Sequence, residues 1–240
     1  MSFKISEHLY KNNLHHAYLI QGRQDEVMLE ILAFLESFGI KTSGNPDFCH
    51  ISIDNFKIDE AFNLRSFGYE KSFSSGKKIF IISTNHFSLD AQGVLLKILE
   101  EPIQNTHFFL IMPDINGLLK TFISRFYFIS VKPKNEELKY AEKFIAMPLR
   151  ERIDFLKELL AESTNGGDED VEIIKQDSPR SKALKFLNTL EFALHKKLVS
   201  KSLFDTSFFA HFFKVREFLR QPGSSIKNLM ESVALAMPIF

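Results

Sequence analysis

The pattern of apolar residues changes once along the chain. In its first half, short continuous apolar runs alternate with stretches in which apolar residues recur every three or four positions. The runs cover residues 17–20, 48–53, 78–83, 106–112 and 126–131, and the helix-type stretches cover residues 25–38, 59–70, 88–100 and 116–124. Strands that are apolar throughout and separated by helices predict a parallel sheet covered on both faces. The first half therefore indicates an α/β domain.

The strand pattern ends beyond Pro133. Later stretches carry apolar residues at helical spacing, over residues 136–145, 149–162, 181–199, 206–221 and 225–237. The polar, acidic segment STNGGDEDVE at residues 163–172 interrupts them and is typical of an exposed loop between helices. The pattern predicts an α/β core over residues 1–132, followed by an all-helical domain over residues 133–240.

Composition narrows the functional classes. Of the 240 residues, 45% are apolar, which is enough for a hydrophobic core. Lys and Arg number 30, as do Asp and Glu, so net charge does not favour DNA or anionic lipid as a partner. The single cysteine, Cys49, excludes internal disulfides and a multi-cysteine zinc site. No stretch approaches the ~20 apolar residues of a membrane span, so we expect a cytoplasmic protein without membrane contact or bound metal.

The segment around Gly22 has the local pattern of a phosphate loop. A buried strand, a tight turn and a helix follow one another there. A working loop has the pattern GxxxxGK[ST], in which backbone N–H groups and a lysine hold phosphates and a hydroxyl holds Mg²⁺. Here the turn is GRQDEVML, in which Arg23 is the only cation and Asp25 and Glu26 repel phosphate. We expect this degenerate loop to bind no nucleotide cofactor, with a divergent ATP site at Arg23 as the alternative.

Residues 89–126 contain two motifs in a fixed order. VLLKILEEP covers residues 94–102 and LLKTFISRF covers residues 118–126, with an apolar strand between them. The first motif ends in Leu99, Glu100, Glu101 and Pro102. In order and spacing, the two motifs resemble those of the clamp-loader branch of the AAA+ family, and within it the delta-prime subunit of bacterial DNA polymerase III. The segment NPDF at residues 45–48 is similar to the HPDF of that family.

The resemblance implies an AAA+-type parallel sheet followed by a helical collar that joins subunits. It also implies where the carboxylates and the polar sensor of an active ATPase lie. Residues 81–87, IISTNHF, contain no acid after the central strand, and the sensor position falls on Met112 or Pro113. The cysteine-rich zinc module of the family is missing, and the small helical lid expected after Val131 is reduced or absent. The resemblance therefore implies an ATPase scaffold that has lost its ATP site.

Ser124 and Arg125 match the first two residues of the family's SRC motif, whereas Phe126 replaces the cysteine. In that family the arginine reaches the ATP of the neighbouring subunit. The resemblance thus implies a trans-acting arginine finger at Arg125. The alternative is that Arg125 caps its own helix and pairs with a carboxylate.

The implied function is that of a non-catalytic, delta-prime-like subunit that supports ATP-driven loading of a sliding clamp onto primed DNA. The implied partners are ATPase clamp-loader subunits, a delta-like subunit and the sliding clamp, with primed DNA bound through the complex. Two alternatives remain open: an inactive AAA+ module that regulates another ATPase, and a divergent ATPase.

Overall fold

A computed structural model describes residues 5–9, 14–70, 72–73, 76–131, 133, 135–161, 178–201, 207–221 and 223–237. The chain divides into two compact units, Met1–Lys132 and Pro133–Phe240. The predicted acidic loop at residues 163–172 lies outside the described residues.

The first unit is a parallel sheet with helices. Its elements are β1 (Ala17–Gln21), α1 (Gln24–Ser37), β2 (Phe48–Ser52), β3 (Asn55–Phe56), α2 (Ile58–Tyr69), β4 (Lys78–Ser83), β5 (His86–Phe87), α3 (Leu89–Glu100), β6 (Thr106–Met112), α4 (Lys120–Ile123) and β7 (Tyr127–Ser130). Five strands form one sheet in the order β2-β4-β6-β1-β7, and every pairing is parallel. β3 and β5 form a separate two-residue ladder that the hydrophobic pattern did not predict. The predicted α/β class is confirmed.

Both faces of the sheet are covered, because side chains of one strand alternate between two apolar clusters. On one face, Leu19 and Phe108 pack with Leu95 of α3 and with α2. On the other face, Tyr18 and Phe109 stack at 5.1 Å and pack with α1. The central strands β4 and β6 are buried at every residue, which explains why they appear in the sequence as apolar runs with polar residues only at their ends.

The helix predicted over residues 116–124 is shorter than expected. Only Lys120–Ile123 is helical, and a turn precedes it. The carboxylate of Asp114 accepts hydrogen bonds from the backbone and side chain of Asn116, at 3.1 and 2.8 Å. An Asp side chain that binds the backbone two residues later stabilises a turn in place of a helix.

The second unit is all-helical. Its elements are α5 (Asn135–Ala146), α6 (Leu149–Leu160), α7 (Pro179–Lys201), α8 (Ser207–Arg220) and α9 (Ile226–Ala236). All these helices share one apolar core, to which they contribute Phe144, Leu156, Leu187, Phe212 and Val233 in that order. Because α5 and α6 belong to the same core as α7 to α9, they are part of one helical unit, whose role as a collar stays a prediction. The reduction of the lid stays a prediction.

Buried arginines join these helices. Arg152 of α6 donates to the carbonyls of Ile145 and Ala234, at 2.9 and 3.3 Å, near the C-terminal ends of α5 and α9. Arg216 of α8 pairs with Glu191 of α7. A cation near the last carbonyls of a helix also complements the helix dipole. Within the described part of the chain, no helix is long and apolar enough to cross a membrane.

Candidate functional site

The phosphate-loop position is occupied by sheet contacts. The backbone N–H of Gly22 donates to the carbonyl of Met112 at 2.9 Å, and that of Val131 donates to Gln21 at 2.8 Å. A Cβ atom on Gly22 would lie 2.9 Å from the Cβ of Val131. Glycine is therefore required here for close packing against Val131. A phosphate cradle needs backbone N–H groups that point at the ligand, and that of Gly22 is used within the sheet.

Arg23, the one cation of this turn, is paired. Its guanidinium lies 2.5 Å from the carboxylate of Asp25, and its Nε lies 3.2 Å from the carboxylate of Glu26. Both acids belong to the first turn of α1, where they stabilise the positive end of the helix dipole. Two carboxylates against one guanidinium leave this helix end net negative. Such a site does not fit a nucleoside triphosphate.

Two acids that sequence reasoning missed lie at the same, carboxyl edge of the sheet. Asp54 follows β2, and its carboxylate accepts a hydrogen bond from Asn85 at 2.7 Å. Asp114 follows β6 and is 2% exposed. Their position shortly after strands was the available signal, but each acid is already hydrogen-bonded within the protein, Asp54 to Asn85 and Asp114 to Asn116. Among the described residues, no group of three or more His, Cys, Asp or Glu side chains could hold a metal ion.

Arg125 lies at the opposite, amino edge of the sheet, because it shortly precedes β7. Gly22 and Arg23 follow the end of β1. A five-residue strand at about 3.3 Å per residue separates the two edges by roughly 15 Å. Arg125 therefore does not belong to its own chain's phosphate-loop site.

The two sequence motifs meet at Arg125. Its Nη2 forms an ion pair with the carboxylate of Glu100, and its Nη1 donates to the hydroxyl of Ser124 at 2.9 Å. The Ser124 hydroxyl in turn donates to the carbonyl of Thr121 at 3.0 Å. The pairing of Arg125 with a carboxylate, which the sequence left as an alternative, is thus present.

The other residues of the LEEP stretch end α3. Leu99 is 3% exposed and packs in the core. Glu101 caps the helix through its backbone N–H, which donates to the carbonyl of Lys97 at 3.0 Å, and the exposed Pro102 follows. Proline lacks an N–H group and prevents the helix from continuing.

Gln92 of α3 holds the segment that leads to Arg125. Its side-chain oxygen accepts from the backbone N–H of Leu119 at 2.7 Å, and its Nε2 donates to Phe87 and Gly117, at 3.1 and 3.2 Å. Gln92 is fully buried, so these bonds satisfy groups that water does not reach. Sequence reasoning missed this residue, because a glutamine on an amphipathic helix carries no signal of burial.

A histidine lies next to the two motifs. Burial, followed by the neighbouring His15, lowers the pKa of His16 below its ordinary value, whereas the carbonyls of Leu99 and Arg125 act in the opposite direction. His16 is therefore expected to be neutral at pH 7. The positive charge in this region belongs to Arg125.

Residues 2–135 match the family model described as DNA polymerase III, delta subunit. The chain belongs to this family. It is a clamp-loader member of the AAA+ class and resembles delta prime.

The relatives found agree with this assignment. The chain is 29% identical over 208 residues to DNA polymerase III subunit delta' of Bacillus subtilis, an alignment that covers 75% of this chain and 61% of the relative. It is 28% identical over 151 residues to DNA polymerase III subunit gamma of Buchnera aphidicola, covering 62% of this chain and 38% of the relative. The chain therefore spans less than two thirds of the length of either relative.

A solved structure of a DNA polymerase III gamma subunit-related protein from Thermotoga maritima is also similar. The TM-score is 0.44 at 13% sequence identity, over 92% of this chain and 93% of the other.

Proposed function

We propose that this clamp-loader family member acts as a non-catalytic, delta-prime-type subunit of a DNA polymerase III clamp loader and offers Arg125 to the nucleotide of a neighbouring ATPase subunit. The observation that carries the proposal is the position of Arg125. Its side chain is 36% exposed at the amino edge of the sheet, away from its own chain's phosphate-loop position. A cation placed there is available to a partner.

The absence of ATPase chemistry is part of the proposal. The N–H of Gly22 is bonded to Met112, Arg23 is paired with acids, and Val131 packs against the turn. A triphosphate would have to break the pairs of Arg23 while it approached Asp25 and Glu26. Each of these changes opposes binding, since like charges at short distance raise the free energy of the complex.

Arg125 would act by stabilising negative charge on the partner's nucleotide. Phosphoryl transfer spreads negative charge over the γ-phosphate oxygens, and a guanidinium presents several N–H donors in a rigid plane that matches them. The guanidinium remains protonated throughout, so it stabilises charge without moving a proton. Hydrolysis itself would use the partner's own magnesium and water-orienting residues.

The proposed complex contains ATPase clamp-loader subunits and a delta-like subunit, joined through helical units such as α5 to α9. It would open a sliding clamp and load it onto primed DNA in the cytoplasm. This chain would contact DNA through the complex, which fits its formal net charge of zero.

The test is reconstitution. The tagged chain is purified from its own cells, and the ATPase subunits that accompany it are identified and recombined with wild type, Arg125→Ala or, as a control, the variant Arg150→Ala of an exposed arginine on α6. We expect Arg125→Ala to lower the rate of ATP hydrolysis at the affected site by about 10³-fold or more. The complex should therefore lose most of the stimulation of ATP hydrolysis by clamp and primed DNA. Arg150→Ala should retain it.

Two outcomes would contradict the proposal. Recovery of the chain with an ATPase unrelated to replication would support the alternative of a regulatory AAA+ module. ATP binding by the isolated chain, measured by calorimetry and abolished by Arg23→Ala, would support the divergent ATPase.

A further inference from the structure

The guanidinium of Arg125 is held at both of its terminal nitrogens. Nη2 pairs with Glu100 and Nη1 donates to Ser124, although residues 100 and 125 belong to different elements. We infer that Glu100 is a positioning residue, which holds the Arg125 guanidinium in the orientation that a partner's triphosphate requires. This inference rests on the proposed function of Arg125.

Glu100 has a rigid base. It is the last residue of α3, whose preceding turn buries Ile98 and Leu99 at 0 and 3% exposure. Backbone atoms so close to a packed face have little freedom, and the carboxylate therefore defines a fixed point near the surface.

Arg125 has an equally firm base. Phe122 of α4 is 0% exposed and contacts the rings of Phe87 and Phe126, with centroid distances of 5.4 and 5.0 Å. The Ser124 hydroxyl that accepts from Arg125 is itself bonded to the carbonyl of Thr121. Phe126, which replaces the cysteine of the family motif, thus contributes packing under the arginine.

The guanidinium of Arg125 retains N–H donors that its contacts with Glu100 and Ser124 do not use. Arginine has five N–H groups, and contacts within the described residues use one on each terminal nitrogen. The remaining donors include Nε–H and one on each terminal nitrogen. Phosphate oxygens can take these donors while Glu100 and Ser124 stay bound.

The ion pair of Arg125 and Glu100 contributes little to the stability of the fold, but it can orient the guanidinium. The side chains of Arg125 and Glu100 are 36 and 46% exposed, and ion pairs in such surroundings contribute little to folding. Orientation acts on rate by a comparable free energy, because a donor that is already aligned need not lose its freedom in the transition state. The contribution of Glu100 should therefore be visible in the partner's turnover.

Glu101 provides a matched control. It is exposed and adjacent to Glu100, and within the described part of the chain its side chain forms no ion pair or hydrogen bond. Replacing either acid with glutamine removes the same charge from the same end of α3. A difference between the two variants therefore reports the contact with Arg125 and not the general electrostatic field.

The experiment measures ATP hydrolysis by the reconstituted complex, with Glu100→Gln, Glu101→Gln, Arg125→Ala and the double variant Glu100→Gln/Arg125→Ala. We expect Glu100→Gln to lower kcat about two- to five-fold, as for the loss of one exposed ion pair, with KM for ATP and the half-saturating subunit concentration unchanged. Glu101→Gln should match wild type. The double variant should match Arg125→Ala, because both changes act through one group.

The outcomes separate the two proposals. If Arg125→Ala retains full activity, the proposed finger is wrong and Glu100 has nothing to position. If Arg125→Ala loses activity while Glu100→Gln equals Glu101→Gln, the finger stands and the positioning role is overturned. A higher kcat for Glu100→Gln would also overturn it, since the carboxylate would then restrain the finger. An effect confined to the half-saturating concentration would assign Glu100 to assembly.

Discussion

The side chain of Gln92 accepts a hydrogen bond from the backbone N–H of Leu119 at 2.7 Å and so joins the first turn of α3 to the start of α4. The two residues are 27 positions apart. Because Nε2 of the same side chain bonds Phe87 and Gly117, one glutamine satisfies three backbone groups. The short helix α4, which ends two residues before Arg125, therefore depends on Gln92 for its starting point.

Replacement of Gln92 with leucine should destabilise the first unit. Leucine has a similar size but leaves the N–H of Leu119 and the two carbonyls without their partner, which we expect to cost about 1–3 kcal/mol in the free energy of unfolding. Urea unfolding monitored by circular dichroism measures the change. Gln24→Leu is the control, because Gln24 is half-buried and, among the residues that the structure describes, makes one long hydrogen bond, of 3.4 Å, to Asn85. Equal effects of the two substitutions would rule out the role given to Gln92.

Two glycines should respond to alanine with opposite signs. At Gly22 the new Cβ would lie 2.9 Å from Val131, so Gly22→Ala should destabilise by roughly 1–3 kcal/mol through overpacking. At Gly93, inside α3, nothing lies within 4 Å of the new Cβ. There alanine should stabilise by about 0.5–1 kcal/mol, since it has the higher helix propensity.

Thermal and urea unfolding of both glycine variants tests whether the free energy of unfolding falls for Gly22→Ala and rises for Gly93→Ala. In the background of Val131→Gly the cost of Gly22→Ala should be smaller than in wild type, because glycine at residue 131 removes both the Cβ and the Cγ2 that the new methyl group would meet. Stabilisation by Gly22→Ala would show that this turn is open, as a phosphate loop must be.

The sheet could be predicted from the sequence because strands that are buried on both faces are mostly apolar. β4 and β6 are buried on both faces and are apolar at every position except Lys78 and Ser83 in β4 and Thr106 and His107 in β6. The ladder of β3 and β5 has two residues per strand, too few for any period to emerge. The start of α4 could not be located either, because Gln92 and Asp114 determine it from outside the helix.

The candidate site was predictable in its parts and not in its arrangement. The motifs with Glu100 and Arg125 are each visible in the sequence, but their contact spans 25 positions. Periodicity indicates which face of an element is buried, and it does not indicate which side chains meet across elements. Periodicity also gives no information on the pairing of Arg23 with Asp25 and Glu26, which depends on rotamers at the start of one helix.

Stability should decrease as the pH falls below 6.5. Burial lowers the pKa of His16, His50 and His107 in the folded chain from the ordinary value of 6.5. Above that value these histidines are neutral in both states, so their contribution is constant. Below it the unfolded chain binds protons that the folded chain does not, and folding is weakened until the pH reaches the folded pKa values. Urea midpoints at pH 8, 7, 6 and 5.5 measure the trend.

A histidine variant separates this effect from general acid sensitivity. His50→Gln removes one group whose pKa is lowered by burial, so the loss of stability between pH 7 and 5.5 should be smaller than in wild type. A steeper loss in the variant, or a wild-type midpoint that rises on acidification, would contradict the assignment.

The buried and exposed ion pairs of the helical unit should differ in strength. Arg216 is 3% exposed and pairs with Glu191, whereas Lys157 and Asp154 are 56 and 62% exposed and lie 2.7 Å apart. Arg216→Met leaves Glu191 without its cation between α7 and α8 and should cost about 3 kcal/mol. Lys157→Met should cause no measurable change, because exposed pairs are screened by solvent.

Chemical denaturation of both ion-pair variants, at low and at high salt, makes the comparison. A double-mutant cycle with Glu191→Gln isolates the pair, and its coupling energy should persist in salt because the guanidinium is shielded from solvent. If Arg216→Met and Lys157→Met shift the midpoint equally, the Arg216 pair is not what joins α7 to α8. The apolar contacts of Phe212 and Leu187 would then be sufficient to hold these helices together.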